Sequence, residues 1–142
     1  MLRNIDPLLS PDLLHALRRM GHGDMIVIAD ANFPGSSLGP ECIRADGSSA
    51  SRMLEAVLSV MPLDTFIEEP AISMQVVGAP DTIPEAVADF QGIIDRVADR
   101  PAQIRGVERF AFYDLAREAH VILQTGETRL YGNVILVKGV VA

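Results

Sequence analysis

The stretch Gly21–Pro40, GHGDMIVIADANFPGSSLGP, decides how this chain folds. Its centre, Met25–Ala29 (MIVIA), is a short apolar run with the length and composition of a buried strand. Asp30 ends that run, and Ala31–Pro40 holds two glycines, two prolines and two serines, which is typical of a loop. In open α/β sheets, ligand sites gather where strands lead into loops in this way.

Helices and further strands are predicted on both sides of this stretch. Ser10 and Pro11 are typical of the cap and the first residue of a helix, and Gly21 suits its end. Apolar residues at helical spacing predict three more helices, over Ser49–Met61, Ile83–Ala98 and Phe110–Ala119. Short apolar runs predict strands over Cys42–Ala45, Ala71–Val77, Gln103–Val107, His120–Gln124 and Val134–Val137.

This alternation predicts an α/β fold. We expect residues 1–142 to form a single three-layer α/β/α domain, with a mostly parallel but mixed sheet covered by helices on both faces. The connection between the last two predicted strands is short, so we expect those two strands to pair antiparallel.

Composition excludes several classes of function. The 142 residues carry a net charge of −7, which disfavours a nucleic-acid partner. Cys42 is the only cysteine, so neither an intrachain disulfide nor a thiolate zinc site is expected. No apolar run is long enough to cross a membrane, and the charged, proline-containing start does not look like a signal peptide, so we expect a cytoplasmic protein without a membrane partner. The absence of phosphate-binding, dinucleotide-binding and metal-ligand motifs predicts a protein without metal or organic cofactor.

Two polar residues flank the MIVIA strand. His22 lies between two glycines, where a ligand could reach its imidazole. On spacing alone, a surface turn whose histidine caps the preceding helix is the commoner arrangement. Asp30 could accept hydrogen bonds from a ligand or orient His22, or it could cap the following turn. The pattern Gly35–Gly39 (GSSLG) matches a hydrolase nucleophile elbow, but flanking prolines replace the strand and helix that the elbow needs.

More candidates lie toward the end of the chain. Arg109 precedes the last predicted helix and could hold ligand oxygens or remain a solvated charge. Tyr131, Gly132 and Asn133 precede the last strand, where they could bind a ligand or only form a turn.

Together these segments resemble the D-ribose pyranase / L-fucose mutarotase (RbsD/FucU) family along nearly the whole chain. The resemblance lies in segments that occur in the family's order: Leu2–Leu14 (LRNIDPLLSPDLL), Arg19–Asp24 (RMGHGD), Asp30–Pro40 (DANFPGSSLGP), Ile43–Gly47 (IRADG), Arg109–Ala116 (RFAFYDLA) and Thr125–Val140 (TGETRLYGNVILVKGV). The fucose branch is favoured by Ser10–Leu14, Gly39–Gly47 and Arg109–Tyr113, and the ribose branch typically has a histidine where this chain has Phe110.

The resemblance implies a role for each candidate. His22 matches the family's catalytic histidine, and Asp30 matches a sugar-binding acid close to it. Arg109 matches a substrate contact of the fucose branch, and Tyr131–Asn133 match the C-terminal substrate segment. Asn32 stands where fucose mutarotases often have histidine, which bears on the sugar assignment. Family members form rings of subunits, commonly decamers, with the site near a subunit boundary.

The activity implied is interconversion of sugar anomers, with L-fucose favoured as the monosaccharide partner. Opening and reclosing a cyclic aldose needs an acid, a base and polar groups that hold hydroxyls. His22 and Tyr131 could move protons while Asp30, Arg109 and Asn133 hold the sugar. The alternatives are a D-ribose pyranase or mutarotase of a related aldose, and a non-catalytic sugar-binding or transport-accessory protein.

Overall fold

Six strands and four helices make up the chain in the computed structural model, which describes residues 1–142. The helices are α1 (Pro11–Arg19), α2 (Ala50–Leu58), α3 (Glu85–Val97) and α4 (Arg109–Arg117). The strands are β1 (Met25–Ala29), β2 (Glu41–Ala45), β3 (Ala71–Met74), β4 (Ile104–Val107), β5 (Val121–Thr125) and β6 (Val134–Val137). Every predicted element is present, with ends that shift by a few residues.

All six strands belong to one mixed sheet in the order β2-β5-β1-β6-β3-β4. The pairs β1–β5, β2–β5 and β3–β4 are parallel, whereas β6 runs antiparallel to both of its neighbours, β1 and β3. The prediction of a mostly parallel, mixed sheet is therefore confirmed. The prediction that the last two strands pair with each other is wrong, because β1 lies between β5 and β6 and hydrogen-bonds to both.

Helices cover both faces of the sheet, as the three-layer prediction requires. The larger core lies under α1, α2 and α3 and contains Leu13, Leu54 and Phe90, which are all fully buried. The smaller core lies under α4, where Phe112 packs against Phe33 from the loop after β1. Alternate residues of β1 point into the two cores, and truncating a fully buried aromatic such as Phe90 or Phe112 to alanine costs about 3–5 kcal/mol.

Capping fixes where the helices begin. The Ser10 hydroxyl accepts a hydrogen bond from the N–H of Leu13, and Pro11 is the first residue of α1, as the sequence predicts. At α4 the Glu108 carboxylate accepts from the N–H groups of Phe110 and Ala111 at 2.9 and 3.1 Å. This cap sets α4 with Arg109 in its first turn, beside the carboxyl end of β3. None of the four helices has the length and apolar character needed to cross a membrane.

Candidate active site

A buried pair, Asp30 and Asn133, forms the floor of a cleft where β1 ends and β6 begins. The Asn133 amide donates to Asp30 Oδ2 at 2.9 Å, and the Asp30 N–H donates to Asn133 Oδ1 at 2.7 Å. The second carboxylate oxygen, Oδ1, accepts from the N–H of Asn32 at 2.9 Å, so Asp30 also caps the following turn. The backbone N–H groups of Phe33 and Gly132 also interact with this carboxylate, which lines the cleft.

Burial raises the pKa of Asp30 above its ordinary value of 3.8, and the hydrogen bonds from Asn32 and Asn133 offset only part of that rise. A carboxylate with a raised pKa is a stronger hydrogen-bond acceptor and a better base than an exposed one. Because Asp30 faces the cleft, this basicity is available to a bound hydroxyl.

The cleft above this pair has a volume of about 270 Å³, and a free monosaccharide is small enough to enter it. Its walls combine a few polar groups with apolar and aromatic side chains, as small-molecule sites usually do. The lining residues are Asp30, Asn32, Phe33, Met74, Val77, Arg109, Tyr113, Leu130, Tyr131 and Asn133. The cleft thus brings together Asp30, Arg109, Tyr131 and Asn133, four of the six residues predicted from the sequence.

Tyr131 adopts a backbone conformation that side chains seldom take. Its φ is +58°, in the left-handed region, and the surrounding loop must hold it there. The Tyr131 hydroxyl oxygen accepts from the N–H of Val77 at 3.1 Å. Because that bond uses the oxygen as acceptor, the hydroxyl proton remains free to be donated toward the cleft.

Gly132 lies where this loop passes close to Glu127 and to the Asp30 segment. A Cβ added at Gly132 would lie 2.7 Å from Glu127 Cγ and 3.6 Å from Asp30 Cβ. Gly132 is therefore buried beneath the cleft, and its lack of a side chain lets the loop pack closely against Glu127 and Asp30.

Arg109 carries an unpaired positive charge at the rim of the cleft. Its guanidinium carbon lies 5.0 Å from the centre of the Phe110 ring and 5.8 Å from that of Tyr113, with no carboxylate within ion-pair distance. Stacking on aromatic rings orients the guanidinium while leaving its five N–H donors available. Arg109 therefore forms no ion pair with a neighbouring acid.

The loop after β1 is held against the sheet by Gln124. Its buried amide nitrogen donates to the backbone oxygens of Phe33 at 2.8 Å and Ala31 at 3.2 Å. A Cβ at Gly35 would come within 2.6 Å of Gln124 Oε1, so the loop lies close against this side chain. The segment Gly35–Ser37 forms a 3₁₀ turn with no strand before it, which confirms that it is not a nucleophile elbow.

His22 lies elsewhere. Its Nε2 is 2.9 Å from Oδ1 of Asp64, and its ring packs on Phe66 with ring centres 4.7 Å apart. Asp64 is almost fully buried and also accepts from the N–H groups of Thr65 and Phe66 at 2.9 and 3.1 Å. Burial raises the pKa of Asp64, but these N–H groups and His22 outweigh it, so that the pKa lies below 3.8.

Within one chain, therefore, Asp64 and not Asp30 orients His22. The carboxylate fixes the orientation of the imidazole ring, which is how a buried acid supports a general acid–base histidine. Sequence reasoning missed Asp64 because it lies in a turn 42 residues from His22; the only available signal was an acid that follows the apolar residues of Met61–Leu63.

The two polar centres lie at opposite ends of β1. His22 precedes the strand and Asp30 follows it, and five residues of strand span about 16 Å. The N–H of Gly23 donates to Lys138 beyond the end of β6, whereas Asn133 precedes the start of β6. One chain therefore does not bring His22 to the cleft that holds Asp30.

No cluster of three or more His, Cys, Asp or Glu side chains is arranged to hold a metal ion. The polar groups at both centres are instead one histidine, carboxylates, amides, a phenol and a guanidinium. Such groups can transfer protons and bind hydroxyls.

Comparisons with known proteins cover the whole chain. The profile of the RbsD / FucU transport protein family matches residues 3–141. The fucose mutarotase of Homo sapiens is 48% identical over 147 residues, which cover 99% of this chain and 95% of the human protein. A crystal structure of the fucose mutarotase from Streptococcus pneumoniae in complex with L-fucose is 40% identical, with a TM-score of 0.91 over 99% of this chain and 100% of that one. The structure of Bacillus subtilis RbsD complexed with D-ribose shares the fold at 24% identity and a TM-score of 0.77, each chain being covered completely.

Proposed function

The chain belongs to the RbsD / FucU family, and from that premise we propose that it is an L-fucose mutarotase, an isomerase that interconverts the α and β anomers of L-fucose. The observation that carries the proposal is full-length identity of 40–48% to fucose mutarotases. The cleft supports it, because its lining combines polar groups with apolar and aromatic side chains, which suits a neutral polyol.

The proposed reaction requires only proton transfers. The anomeric hydroxyl loses a proton while the ring oxygen gains one, and the C1–O5 bond breaks to give the open aldehyde. Rotation about C1–C2 presents the other face of the carbonyl, and the O5 hydroxyl adds to it as the protons move back. The atoms and protons balance without a redox step or a covalent enzyme intermediate.

We propose that His22 and Tyr131 are the two proton-transfer groups. His22 is half-exposed and held by Asp64, so its ring is oriented but still reachable. Tyr131 has a free hydroxyl proton on the wall of the cleft. The two could act at the anomeric hydroxyl and the ring oxygen and exchange roles when the reaction reverses.

The remaining residues would hold the sugar. Asp30 and Asn133 form a rigid pair that offers lone pairs to hydroxyl groups, and Gly132 allows the loop to lie close to them. Arg109 offers N–H donors from the rim. Phe33 is a cleft wall that could cover the C6 methyl group of fucose; Phe110 is exposed and does not line the cleft.

We further propose that the site is shared between two copies of the chain in a homo-oligomer, a decameric ring as the family resemblance implies. Because β1 separates His22 from Asp30 by about 16 Å, both reach one sugar only if His22 comes from a neighbouring copy. Exposed apolar residues lie at each end: Phe66 and Ile67 beside His22, and Leu130 at the cleft. Contact between two different surfaces of identical chains is the kind that closes into rings.

We place the reaction in the cytoplasm. A single unpaired cysteine, Cys42, fits a reducing compartment, in which protein thiols do not form disulfides. We treat residues 1–142 as one domain, since all six strands share a single sheet.

Saturation-transfer NMR of anomer exchange tests the activity. The experiment compares L-fucose with D-ribose and related aldoses, with and without protein, and with His22→Ala as the matched control. We expect faster α–β exchange for L-fucose and a preference for it over D-ribose, to which the methyl group alone contributes about 10–200-fold. Binding of L-fucose without faster exchange would favour the non-catalytic alternative, and a preference for D-ribose would reassign the substrate.

A further inference from the structure

An ion pair between the buried Glu127 and the partly exposed Arg129 lies beneath the loop that carries Tyr131, Gly132 and Asn133. Arg129 Nε contacts Glu127 Oε1 and Arg129 Nη2 contacts Oε2, both at 3.0 Å, which is the two-pronged geometry of a strong pair. The N–H of Arg129 also donates to Oε1 at 3.0 Å. Glu127 is almost fully buried. Neither residue lines the cleft, and the proposed reaction does not use them.

The pair connects the loop to two helices of the larger core. Arg129 Nη2 donates to the Ser51 hydroxyl at 2.8 Å in α2, and its Nη1 lies 3.3 Å from the Asp89 carboxylate in α3. Ser51 and Asp89 also hydrogen-bond to each other. The backbone of Ala50, in the first turn of α2, hydrogen-bonds to the Glu127 carboxylate. The guanidinium is therefore fixed on three sides.

The same pair connects the loop to the floor of the cleft. The backbone oxygen of Glu127 accepts from the N–H of Ala31 at 2.9 Å, directly after Asp30. The side chain of Glu127 fills the space below Gly132, where even a Cβ would approach it to 2.7 Å. The side chain of Glu127 thus limits how far the loop can move inward at Gly132, the residue after Tyr131.

Stability alone is a weak reason for this arrangement. Burying the Glu127 carboxylate costs desolvation energy that an apolar residue of similar volume would not incur, and the partly exposed Arg129 offsets that cost without adding much net stability. The pair fixes geometry instead, and the geometry here includes a tyrosine held at a φ of +58°.

We propose that Glu127 and Arg129 are positioning residues that hold Tyr131 and Asn133 against Asp30, and so set the arrangement of the sugar-binding loop. The inference rests on the proposed function, because it gives the loop a catalytic purpose. Rigid support of this kind is what a site needs when proton transfer depends on the alignment of an acid and a base.

The first test compares Arg129→Met with Arg52→Met. Arg52 is a matched control, since it also contacts two carboxylates, Glu55 and Asp6, but does not reach the loop. We expect Arg129→Met to lower kcat/KM for L-fucose by about tenfold, within the range of couplings between residues in one network. Arg52→Met is expected to retain wild-type kcat/KM. Melting temperature and subunit assembly are measured for both, and Arg129→Lys, which keeps the charge but not the two-pronged contact, replaces Arg129→Met if that variant does not fold.

The second test does not depend on activity. The chain contains only two tyrosines, Tyr113 and Tyr131, and both line the cleft. Protein labelled with fluorotyrosine therefore gives two fluorine signals, which Tyr131→Phe assigns. We expect Arg129→Met to shift or broaden the Tyr131 signal while the Tyr113 signal stays in place, and Arg52→Met to move neither.

A folded Arg129→Met protein with wild-type kcat/KM would overturn the positioning role. Reduced activity with an unmoved Tyr131 signal would overturn it as well, because the loss would then have another origin. Failure of the wild-type protein to exchange L-fucose anomers would overturn the proposed function instead, and the fluorine signals would still report whether the pair holds the loop.

Discussion

Mixing two inactive variants gives a direct test of the shared site. His22→Ala damages the end of the chain before β1, and Tyr131→Phe damages the cleft beyond it. The two variants are unfolded together, refolded in equal amounts and assayed for L-fucose anomer exchange. Each variant alone is expected to lose about 10²–10⁴-fold in rate, the usual contribution of a general acid or base.

If each site is shared by two chains, random assembly sets how much exchange activity the mixture recovers. An interface is intact when its His22 end comes from the Tyr131→Phe chain and its cleft from the His22→Ala chain. With random assembly each condition holds with a chance of about one half, so about one quarter of wild-type activity is expected to return. If p is the fraction of His22→Ala chains in the mixture, the activity should be proportional to p(1 − p) and reach its maximum at equal amounts.

A second mixture supplies the control. Asp64→Asn damages the same end as His22→Ala, because Asp64 contacts His22 within one chain. Mixing these two variants should restore nothing at any ratio. Mixed rings of His22→Ala and Tyr131→Phe, confirmed by mass spectrometry, that stay inactive would refute the shared site, and so would a fully active monomer.

Three further outcomes are expected. Asp64→Asn removes the charge that orients His22, so the anomer exchange rate measured by NMR should decrease by about 10²–10⁴-fold. The exposed control Asp114→Asn should exchange at the wild-type rate. Equal rates for the two variants would contradict the orienting role of Asp64. The bonds from Arg129, which outweigh the effect of burial, lower the pKa of Glu127 below 4.5, so its contribution to stability is present above pH 4.5 and is lost as the pH falls. Melting curves recorded between pH 6 and pH 3 should therefore fall less steeply for Glu127→Gln than for the wild-type protein, and parallel curves would contradict this linkage. Exhaustive chelation should leave exchange unchanged, and activity that disappears and returns with one metal would reverse the expectation of a metal-free reaction.

Local signals in the sequence were sufficient to predict the elements of the fold. The MIVIA run and the Ser10–Pro11 cap depend on neighbouring residues, and both are confirmed with the expected ends. Strand order depends on partners far apart in the chain. A short connection favoured pairing of β5 with β6, yet β1 occupies the place between them because its two apolar faces can be buried only at the centre of the sheet.

Individual candidate residues of the site could be named from the sequence, but their arrangement in space could not be predicted. Asp30 and Asn133 were both candidates, and the structure adds that they bind each other across 103 residues. One alternative for Asp30 was that it orients His22, but the extended strand between them keeps the two residues of one chain at its opposite ends. Asp64 and Glu127 escaped prediction because an acid in a loop is usually solvated, and only tertiary packing buries these two.

The central position of β6 in the sheet also affects how the chain folds while it is being synthesised. The sheet consists of one group of three strands, β2-β5-β1, and one of two, β3-β4, which are joined only through the last strand of the chain. Until Val134–Val137 emerge from the ribosome, β1 and β3 each present an open apolar edge to other nascent chains. A chain that stops before Val134 would therefore hold two unjoined sheets, β2-β5-β1 and β3-β4, each with an unpaired apolar edge.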